Sequence, residues 1–327
     1  MLQNVPNAEE LEATALRLYF EAWRQIITIM SDILDNPQFV VTVLNDKLVA
    51  IEDEHGEIEL EDSRRDLEEF VRLAQPDLQL CYALVQQCQE LALKAIVCKE
   101  SPFLLLLGSD VRAWGANKDF TDLRTIDASD LVKVVNGIRP QPLSDLFVTT
   151  FNDLRRGRNK IAHLGSFKDH IDPLTIVSIL VDHYLEFYPD RNWLRDSYMV
   201  EISHRYRVFL SDDFTETTAV LNRLAILEEA ISEGRRRQLL GFSKTARLFQ
   251  CRDCRETGSI EFYHDTAATL SLEKGHHSAT CRLCEATFKV TRKQCRDCNK
   301  CDVFLDRGGP DDVCCYCGTL WDEQPDE

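Results

Sequence analysis

The sequence predicts an all-α helical bundle over residues 1–241, followed by a small β-rich ribbon domain that is stapled by cysteines. Three observations predict this fold class. Apolar residues recur at helical spacing through most of the first part. After Gly241 the content of Gly, Thr and Ser rises, and only short β-like segments appear, at 247–250, 260–263 and 287–290. Ten of the thirteen cysteines fall between Cys251 and Cys317, where segments this short need a staple to fold.

The helices of the first part are predicted from stripes of apolar residues. They cover residues 9–34, 63–75, 77–98, 128–135, 144–164, 173–187, 191–209 and 214–240. The helix over 77–98 is apolar around much of its circumference, so it is expected at the centre of the bundle. Its cysteines, Cys81, Cys88 and Cys98, are expected to be buried small hydrophobic residues.

Other segments carry local signals. Residues 39–60 give an ambiguous signal, in which 39–44 are compatible with a strand and 45–46 with a turn. The apolar run 103–108 is expected to be buried, whatever its secondary structure. The helix over 144–164 begins with Ser144 as its N-cap, and Gly165 is placed to end it. Its expected core stripe is Leu143, Phe147, Phe151, Leu154, Ile161 and Leu164.

Charge is unevenly distributed along the chain. The formal net charge is −17, which argues against a general nucleic-acid coat protein. Residues 235–300 carry 14 lysines and arginines against 7 acidic residues, whereas residues 301–327 carry 1 against 8. A basic segment of this kind is compatible with a phosphate-facing surface, and equally with a solvated face that binds nothing.

The sequence predicts neither a signal peptide nor a membrane helix. Residues 1–6 lack a basic start and an apolar core, and no apolar run approaches the ~20 residues that cross a bilayer. A cytoplasmic protein without a membrane partner is therefore expected. In a reducing compartment, cysteines clustered in Cys-x-x-Cys pairs predict metal ligands rather than disulfides.

Two of these pairs, Cys251 with Cys254 and Cys281 with Cys284, enclose 26 residues. Each pair forms a knuckle that turns two thiolates toward one point, and two knuckles give the tetrahedral site that Zn²⁺ prefers. The spacing resembles that of zinc ribbons, in which two β-hairpins clamp one ion. Four thiolates leave no position for water, so the zinc is expected to be structural, and no catalytic cofactor is expected.

A second zinc site is predicted further along the chain, which gives about two zinc ions per chain. The neatest quartet is Cys298, Cys301, Cys314 and Cys317. An alternative pairs Cys295 with Cys298, and Cys315 is a further spare cysteine. The run from Cys295 to Cys301 also has iron–sulfur spacing, but that motif needs another cysteine at the position of Leu305, so zinc is favoured.

The run Arg158-Asn159-Lys160-Ile161-Ala162-His163 places a guanidinium, a carboxamide and an imidazole near the end of one predicted helix. The stretch 153–163 resembles the signature helix of HEPN domains, which carries an arginine, then a polar residue, then a histidine a few residues further on. Residues 90–95 and 119–124 are also similar to such domains. The resemblance covers residues 76–190.

The resemblance implies a helical bundle that dimerises, with both Arg…His motifs facing a shared cleft. It also implies a metal-independent endoribonuclease whose products carry a 2′,3′-cyclic phosphate and a 5′-hydroxyl. A toxin or anti-phage role, with an antitoxin or regulatory protein as partner, is implied by the family alone. The residues suit this chemistry, because Arg158 can hold the scissile phosphate, His163 can move a proton near neutral pH, and Asn159 can orient either group.

Helix geometry adds a constraint on this site. Asn159 and His163 are four residues apart and share a face. Arg158 and His163 are five residues apart, which separates them by about 140° at ~100° per residue. We therefore expect a composite site at a homodimer interface, where the Arg158 of one chain meets the His163 of the other. Gly157 permits a local distortion that would also help.

The sequence thus predicts an N-terminal helical extension (1–75), a HEPN-like helical core (76–190), a helical connector (191–241) and a zinc-ribbon module with an acidic tail (242–327). An endoribonuclease acting on RNA is the expected function. The rival expectation is a non-catalytic scaffold that binds nucleic acid or a protein partner. The candidate phosphate contacts of the zinc module are Arg252, Arg255, Arg282, Lys289, Arg292, Lys293, Arg296 and Lys300.

Overall fold

The computed structural model describes residues 2–34, 41–44, 47–51, 60–107, 119–164, 169–203, 215–258, 268–299, 302–306 and 313–314. The chain divides into two compact units, Met1–Pro189 and Asp190–Glu327. Most described residues are helical, and a small β-rich region in the second unit holds the clustered cysteines. The expected combination of helices with a cysteine-bearing β-rich region is confirmed at this level, and the four-part division of the chain stays a prediction.

The first unit is built mainly from helices. In chain order its elements are α1 (Ala8–Leu34), β1 (Val41–Leu44), β2 (Lys47–Ala50), α2 (Leu60–Leu73), α3 (Gln75–Glu100), α4 (Ala128–Ile138), α5 (Asp145–Leu164) and α6 (Pro173–Phe187). Strands β1 and β2 pair antiparallel. Strand β1 lies within the segment 39–44, and residues 45–46, where the sequence is compatible with a turn, lie outside the described residues. The main-chain N–H of Phe147 donates to Ser144 Oγ at 3.2 Å, which confirms Ser144 as the N-cap of α5.

Helix α3 is the centre of this unit, as its apolar sequence predicts. It packs against α1, α4, α5 and α6. Cys81, Cys88 and Cys98 are all buried on it, which confirms their expected role as small core residues. Burial raises the pKa of Cys81 to about 12, so this thiol stays protonated, and it donates to the carbonyl of Ala22 at 3.4 Å.

Two expectations about burial are wrong. Phe103 and Leu104 are 45% and 44% exposed, although Leu105 and Leu106 are buried. The segment Pro102–Leu105 forms a 3₁₀ turn, whose successive side chains point about 120° apart, so they cannot all face one core. Leu164 is 74% exposed because it lies about 80° round α5 from Leu154, at the edge of the buried stripe.

Gly157 of α5 lies close to Tyr82 of α3. A Cβ atom at this position would lie 2.6 Å from Cε1 of Tyr82, well inside van der Waals contact. We expect Gly157→Ala to lower the free energy of unfolding by about 1–3 kcal/mol, because the two helices must separate or the Tyr82 ring must turn. Urea unfolding of the two proteins measures this difference.

Gly137 on α4 is the matched control. A Cβ atom there would meet nothing within 4 Å, so Gly137→Ala should raise the free energy of unfolding by about 0.5–1 kcal/mol through the helix propensity alone. Equal effects of the two substitutions would show that the Tyr82 contact does not constrain position 157.

His183 is buried on α6 inside an aromatic cluster. Its ring stacks on Tyr19 with the centroids 5.4 Å apart, and Phe187 lies at 4.8 Å. Neither ring nitrogen has a hydrogen-bond partner among the described residues. Burial lowers the pKa of His183 to about 3, so the folded protein holds this side chain neutral.

The buried imidazole should make the first unit sensitive to mild acid. The unfolded chain binds this proton below about pH 6.5 and the folded chain does not, so stability from this group is complete above pH 6.5 and is lost as the pH falls toward 3. At ~1.4 kcal/mol per pH unit, wild type should lose about 2 kcal/mol more than His183→Leu between pH 7 and 5. Urea unfolding at both pH values tests this, and His170→Leu, at an exposed position, should behave like wild type.

The second unit begins with helices and continues as a sheet. Its elements are α7 (Trp193–Ser203), α8 (Glu216–Ala230), α9 (Glu233–Leu239), β3 (Arg247–Phe249), α10 (Arg252–Gly258), β4 (Leu270–Leu272), β5 (Ser278–Cys281), β6 (Thr287–Arg292), β7 (Val303–Asp306) and β8 (Val313–Cys314). Strands β3 to β8 form one antiparallel sheet in chain order. The segment 260–263, which we expected to be β-like, lies outside the described residues.

The expected continuous helix over 214–240 is wrong, since it is divided into α8 and α9. Ile231 adopts an extended backbone after α8 and is buried. Ser232 follows as the N-cap residue of α9. The bend lets Arg236 of α9 reach Glu228 of α8 at 3.2 Å. Within the same unit, Arg223 of α8 forms a buried ion pair with Glu201 of α7 at 2.7 Å. Such contacts depend on packing and leave no periodic signal in the sequence.

Candidate functional site

The first cysteine quartet predicted from the sequence comes together in the structure. Cys251 follows β3, Cys254 lies on α10, Cys281 ends β5, and Cys284 lies in the turn before β6. The Sγ atoms of Cys251 and Cys284 are 3.7 Å apart, those of Cys254 and Cys281 are 3.6 Å apart, and all four lie within 4.8 Å of one another. A tetrahedron with metal–sulfur bonds of ~2.3 Å has edges of about 3.8 Å. The quartet therefore has the dimensions of a tetrahedral thiolate site and can hold a metal ion.

The polypeptide around Cys281 orients its sulfur. The main-chain N–H of Leu283 donates to Cys281 Sγ at 3.3 Å, and the buried hydroxyl of Thr269 lies 3.4 Å from the same sulfur. The N–H of Glu285 donates to the carbonyl of Cys281 at 3.1 Å and closes the knuckle. Groups of this kind tune and orient a metal ligand. Sequence spacing does not identify Thr269, because it lies twelve residues before Cys281.

The four thiols share protons with one another. Hydrogen bonds from Cys251 and Cys254 lower the pKa of Cys281, and the same two donors lower the pKa of Cys284 to about 7. The hydrogen bonds with Cys251 and Cys281 raise the pKa of Cys254. Negative charge is therefore favoured on Cys281 and Cys284. A metal ion would replace the shared protons, so its binding should release protons to solvent.

A second group of cysteines lies near the other end of β6. Cys295, Cys298 and Cys314 have Sγ atoms within 4.8 Å of one another, and those of Cys298 and Cys314 are 3.9 Å apart. This group can also hold a metal ion. Two members of the expected quartet, Cys301 and Cys317, lie outside the described residues, as does the spare Cys315. Cys295, which the spacing offered only as an alternative, belongs to the group that the structure describes.

The proposed Arg–His residues lie on the last two turns of α5. Arg158 and His163 are exposed and Asn159 is half-buried. The guanidinium of Arg158 donates to Asn159 Oδ1 at 3.3 Å, so these two groups are brought together. Helix α5 continues regularly to Leu164, which keeps Arg158 and His163 on diverging faces. Among the described residues, no hydrogen bond joins His163 to either of the other two.

An acidic group on α3 adds to the charge around Arg158. Glu90 accepts hydrogen bonds from Lys94 at 2.7 Å and from Gln86 at 3.1 Å. Burial raises the pKa of Glu90, but the bond and charge of Lys94, with smaller contributions from Gln86 and the charge of Arg158, outweigh this and lower it overall. The carboxylate is therefore charged at neutral pH. In the sequence the Glu90 segment stands out only through its resemblance to HEPN domains, because the relation of Glu90 to Arg158 depends on how α3 packs on α5.

Part of the positive charge of the cysteine-rich region is neutralised within it. Arg252 pairs with Glu256, and Arg292 pairs with Asp302 at 3.3 Å. Arg282 donates to the carbonyl of Gly241 at 2.7 Å, and Lys300 lies outside the described residues. The side chain of Lys289 points outward from β6. The surface that can face a phosphate is thus smaller than the count of basic residues indicates.

Comparison with protein-family models, with curated proteins and with solved structures gives no match. Among the described residues, no helix has both the length and the apolar character needed to cross a bilayer.

Proposed function

We propose that this protein is a metal-independent endoribonuclease whose active site contains Arg158, Asn159 and His163. The observation that carries the proposal is their position. A guanidinium, a carboxamide and an imidazole lie at the solvent-facing end of one long helix, where a polynucleotide can reach them. The resemblance of this helix to the HEPN signature supports the same activity.

The cleavage step uses groups that these three residues supply. The imidazole of His163 removes the proton of a ribose 2′-hydroxyl, and the 2′-oxygen forms a bond to the adjacent phosphorus. The bond from phosphorus to the 5′-oxygen breaks, the leaving oxygen takes a proton from solvent, and the imidazolium of His163 returns its proton to solvent. Arg158 binds the phosphate and stabilises its growing negative charge. Asn159, which accepts a hydrogen bond from Arg158, holds the guanidinium in place. The products are a 2′,3′-cyclic phosphate and a 5′-hydroxyl.

A homodimer completes the site in this proposal. Arg158 and His163 diverge by about 140° on a regular helix, so one chain cannot bring both to a single phosphate without distortion. A two-fold axis beside α5 would place the Arg158 of one chain near the partner subunit's imidazole. The exposed Leu164, next to His163, is an apolar side chain that such a partner would cover.

The cysteine groups are proposed to bind structural zinc. Four thiolates at tetrahedral spacing suit Zn²⁺ and leave no coordination position for water or substrate. The ions would hold the sheet together and take no part in cleavage. A toxin or anti-phage role, and an antitoxin partner, rest on the family resemblance alone.

The alternative is a scaffold that binds nucleic acid or a protein without cleaving anything. The observation that favours it is the cysteine-rich sheet, which presents exposed basic and hydroxyl side chains such as Lys289 and Thr287. Cleavage of RNA by wild type and by His163→Ala separates the two functions. If neither protein cleaves RNA but both bind it with the same salt dependence, the scaffold is the correct description.

A further inference from the structure

The second cysteine group repeats the local geometry of the first. In the sequence Cys281-Arg282-Leu283-Cys284-Glu285, Glu285 has a φ of +63° and its N–H donates to the carbonyl of Cys281 at 3.1 Å. A left-handed backbone at a non-glycine residue is uncommon, so this conformation identifies a specific turn.

The stretch Cys295-Arg296-Asp297-Cys298-Asn299 has the same turn. Asn299 has a φ of +53°, and its N–H donates to the carbonyl of Cys295 at 3.1 Å. Gln294 also donates to the carbonyl of Asn299 at 3.0 Å and braces the turn. Both loops are therefore metal knuckles of one kind.

The sheet register places the third cysteine opposite this knuckle. On β8, Cys314 pairs with Phe304 of β7, which pairs with Thr291 near the end of β6 that leads to Cys295. Cys295 and Cys314 are both buried. Cys298 and Cys314 are sixteen positions apart in the sequence, and this register brings their Sγ atoms to within 3.9 Å of each other. This is the same arrangement as in the first site, where a knuckle meets cysteines from another part of the sheet.

The two cysteine groups are too far apart to share one metal cluster. The first lies before β6 and the second after it, and the six residues of β6 span roughly 20 Å at about 3.3 Å per residue. Each group must therefore bind its own ion.

We propose that Cys295, Cys298 and Cys314 are ligands of a second, separate zinc ion. This assignment differs from the quartet favoured by spacing, which omitted Cys295. The inference stands apart from the ribonuclease proposal, because no step of cleavage involves these residues.

The test compares serine variants of the full chain. Zinc per chain is measured by elemental analysis, and cobalt-substituted samples are examined for the visible absorption of tetrahedral thiolate coordination. We expect about two zinc ions in wild type, about one in Cys295→Ser, and about two in Cys98→Ser, whose buried cysteine belongs to neither group among the described residues. Full metal content in Cys295→Ser would overturn the proposal. Iron in place of zinc at this centre would overturn it as well.

A second measurement covers the case in which a serine variant does not fold. Wild-type protein with its metal is treated with an alkylating reagent, with and without a strong chelator, and the modified cysteines are identified by mass spectrometry. Cys295, Cys298 and Cys314 should react only after chelation. Reaction of Cys295 and Cys298 in the sample without chelator contradicts the assignment.

Discussion

Replacement of His163 by alanine should abolish RNA cleavage. The imidazole is the only group among the three proposed residues that can exchange a proton near neutral pH, and general acid–base catalysis contributes about 10²–10⁴-fold to a rate. Because His163 is exposed and has no bonded partner among the described residues, its removal should leave the fold unchanged. The rate is measured on labelled RNA, and the thermal unfolding curve checks the fold.

The controls lie close to the site. Arg158→Ala should also be inactive, whereas Arg156→Ala, at an exposed position two residues earlier on α5 that pairs with Asp153, should retain wild-type activity. Wild-type activity should persist when EDTA is added to the assay, with the zinc content checked after the reaction. Equal cleavage by wild type and His163→Ala would indicate a contaminating nuclease and would contradict the proposed active site.

Mixed dimers test the composite site directly. Arg158→Ala and His163→Ala are each inactive alone, but a mixture that exchanges subunits should regain up to about a quarter of the wild-type activity. This follows because half of the dimers are mixed and each has one intact site in which both residues are native. No recovery after proven subunit exchange would show that both residues act within one chain.

The second large effect is expected at the first metal centre. Cys281→Ser should remove one zinc ion per chain and unfold the β-rich region. A structural zinc site contributes on the order of 10 kcal/mol, which is comparable with the whole stability of a typical domain. Cys281 is also the sulfur that Thr269 and the N–H of Leu283 orient. Metal analysis and hydrogen exchange of the sheet amides measure the loss.

Cys98→Ala is the matched control for this variant. Cys98 is also buried, but it lies on α3 and belongs to neither cysteine group among the described residues. Its replacement should leave both ions in place and change the free energy of unfolding by about 1 kcal/mol. Full metal content and protected sheet amides in Cys281→Ser would show that the quartet is not a zinc site.

Helices with a long apolar stripe could be predicted closely. Helix α6 begins and ends where the sequence indicates, α1 begins one residue earlier than predicted, and α3 extends two residues further at each end. Their periodicity comes from apolar residues three and four positions apart, so a short stretch of sequence is enough to recognise it. The first cysteine quartet was equally predictable, because each knuckle is local and its two pairs stand apart from the cysteines that crowd between Cys295 and Cys317.

Features that depend on distant residues could not be predicted in this way. The exposure of Phe103 and Leu104, the bend at Ile231, and the contact of Gly157 with Tyr82 all depend on how elements pack. The place of Cys295 in the second cysteine group also depends on distant residues. Several cysteines near position 300 have suitable spacing, and the register of β6, β7 and β8 brings Cys314 to Cys295 and Cys298.

The sequence by itself determined where the helices lie, which cysteines can form knuckles, and that Arg158 and His163 diverge if α5 is regular. Each of these follows from interactions within a few residues along the chain. Only the tertiary structure decided that Cys295 and Cys298 share a group with Cys314, and that the charge of Glu90 acts on Arg158. These pairings join segments far apart in sequence, and it is the sheet register and the packing of α3 on α5 that bring them within reach.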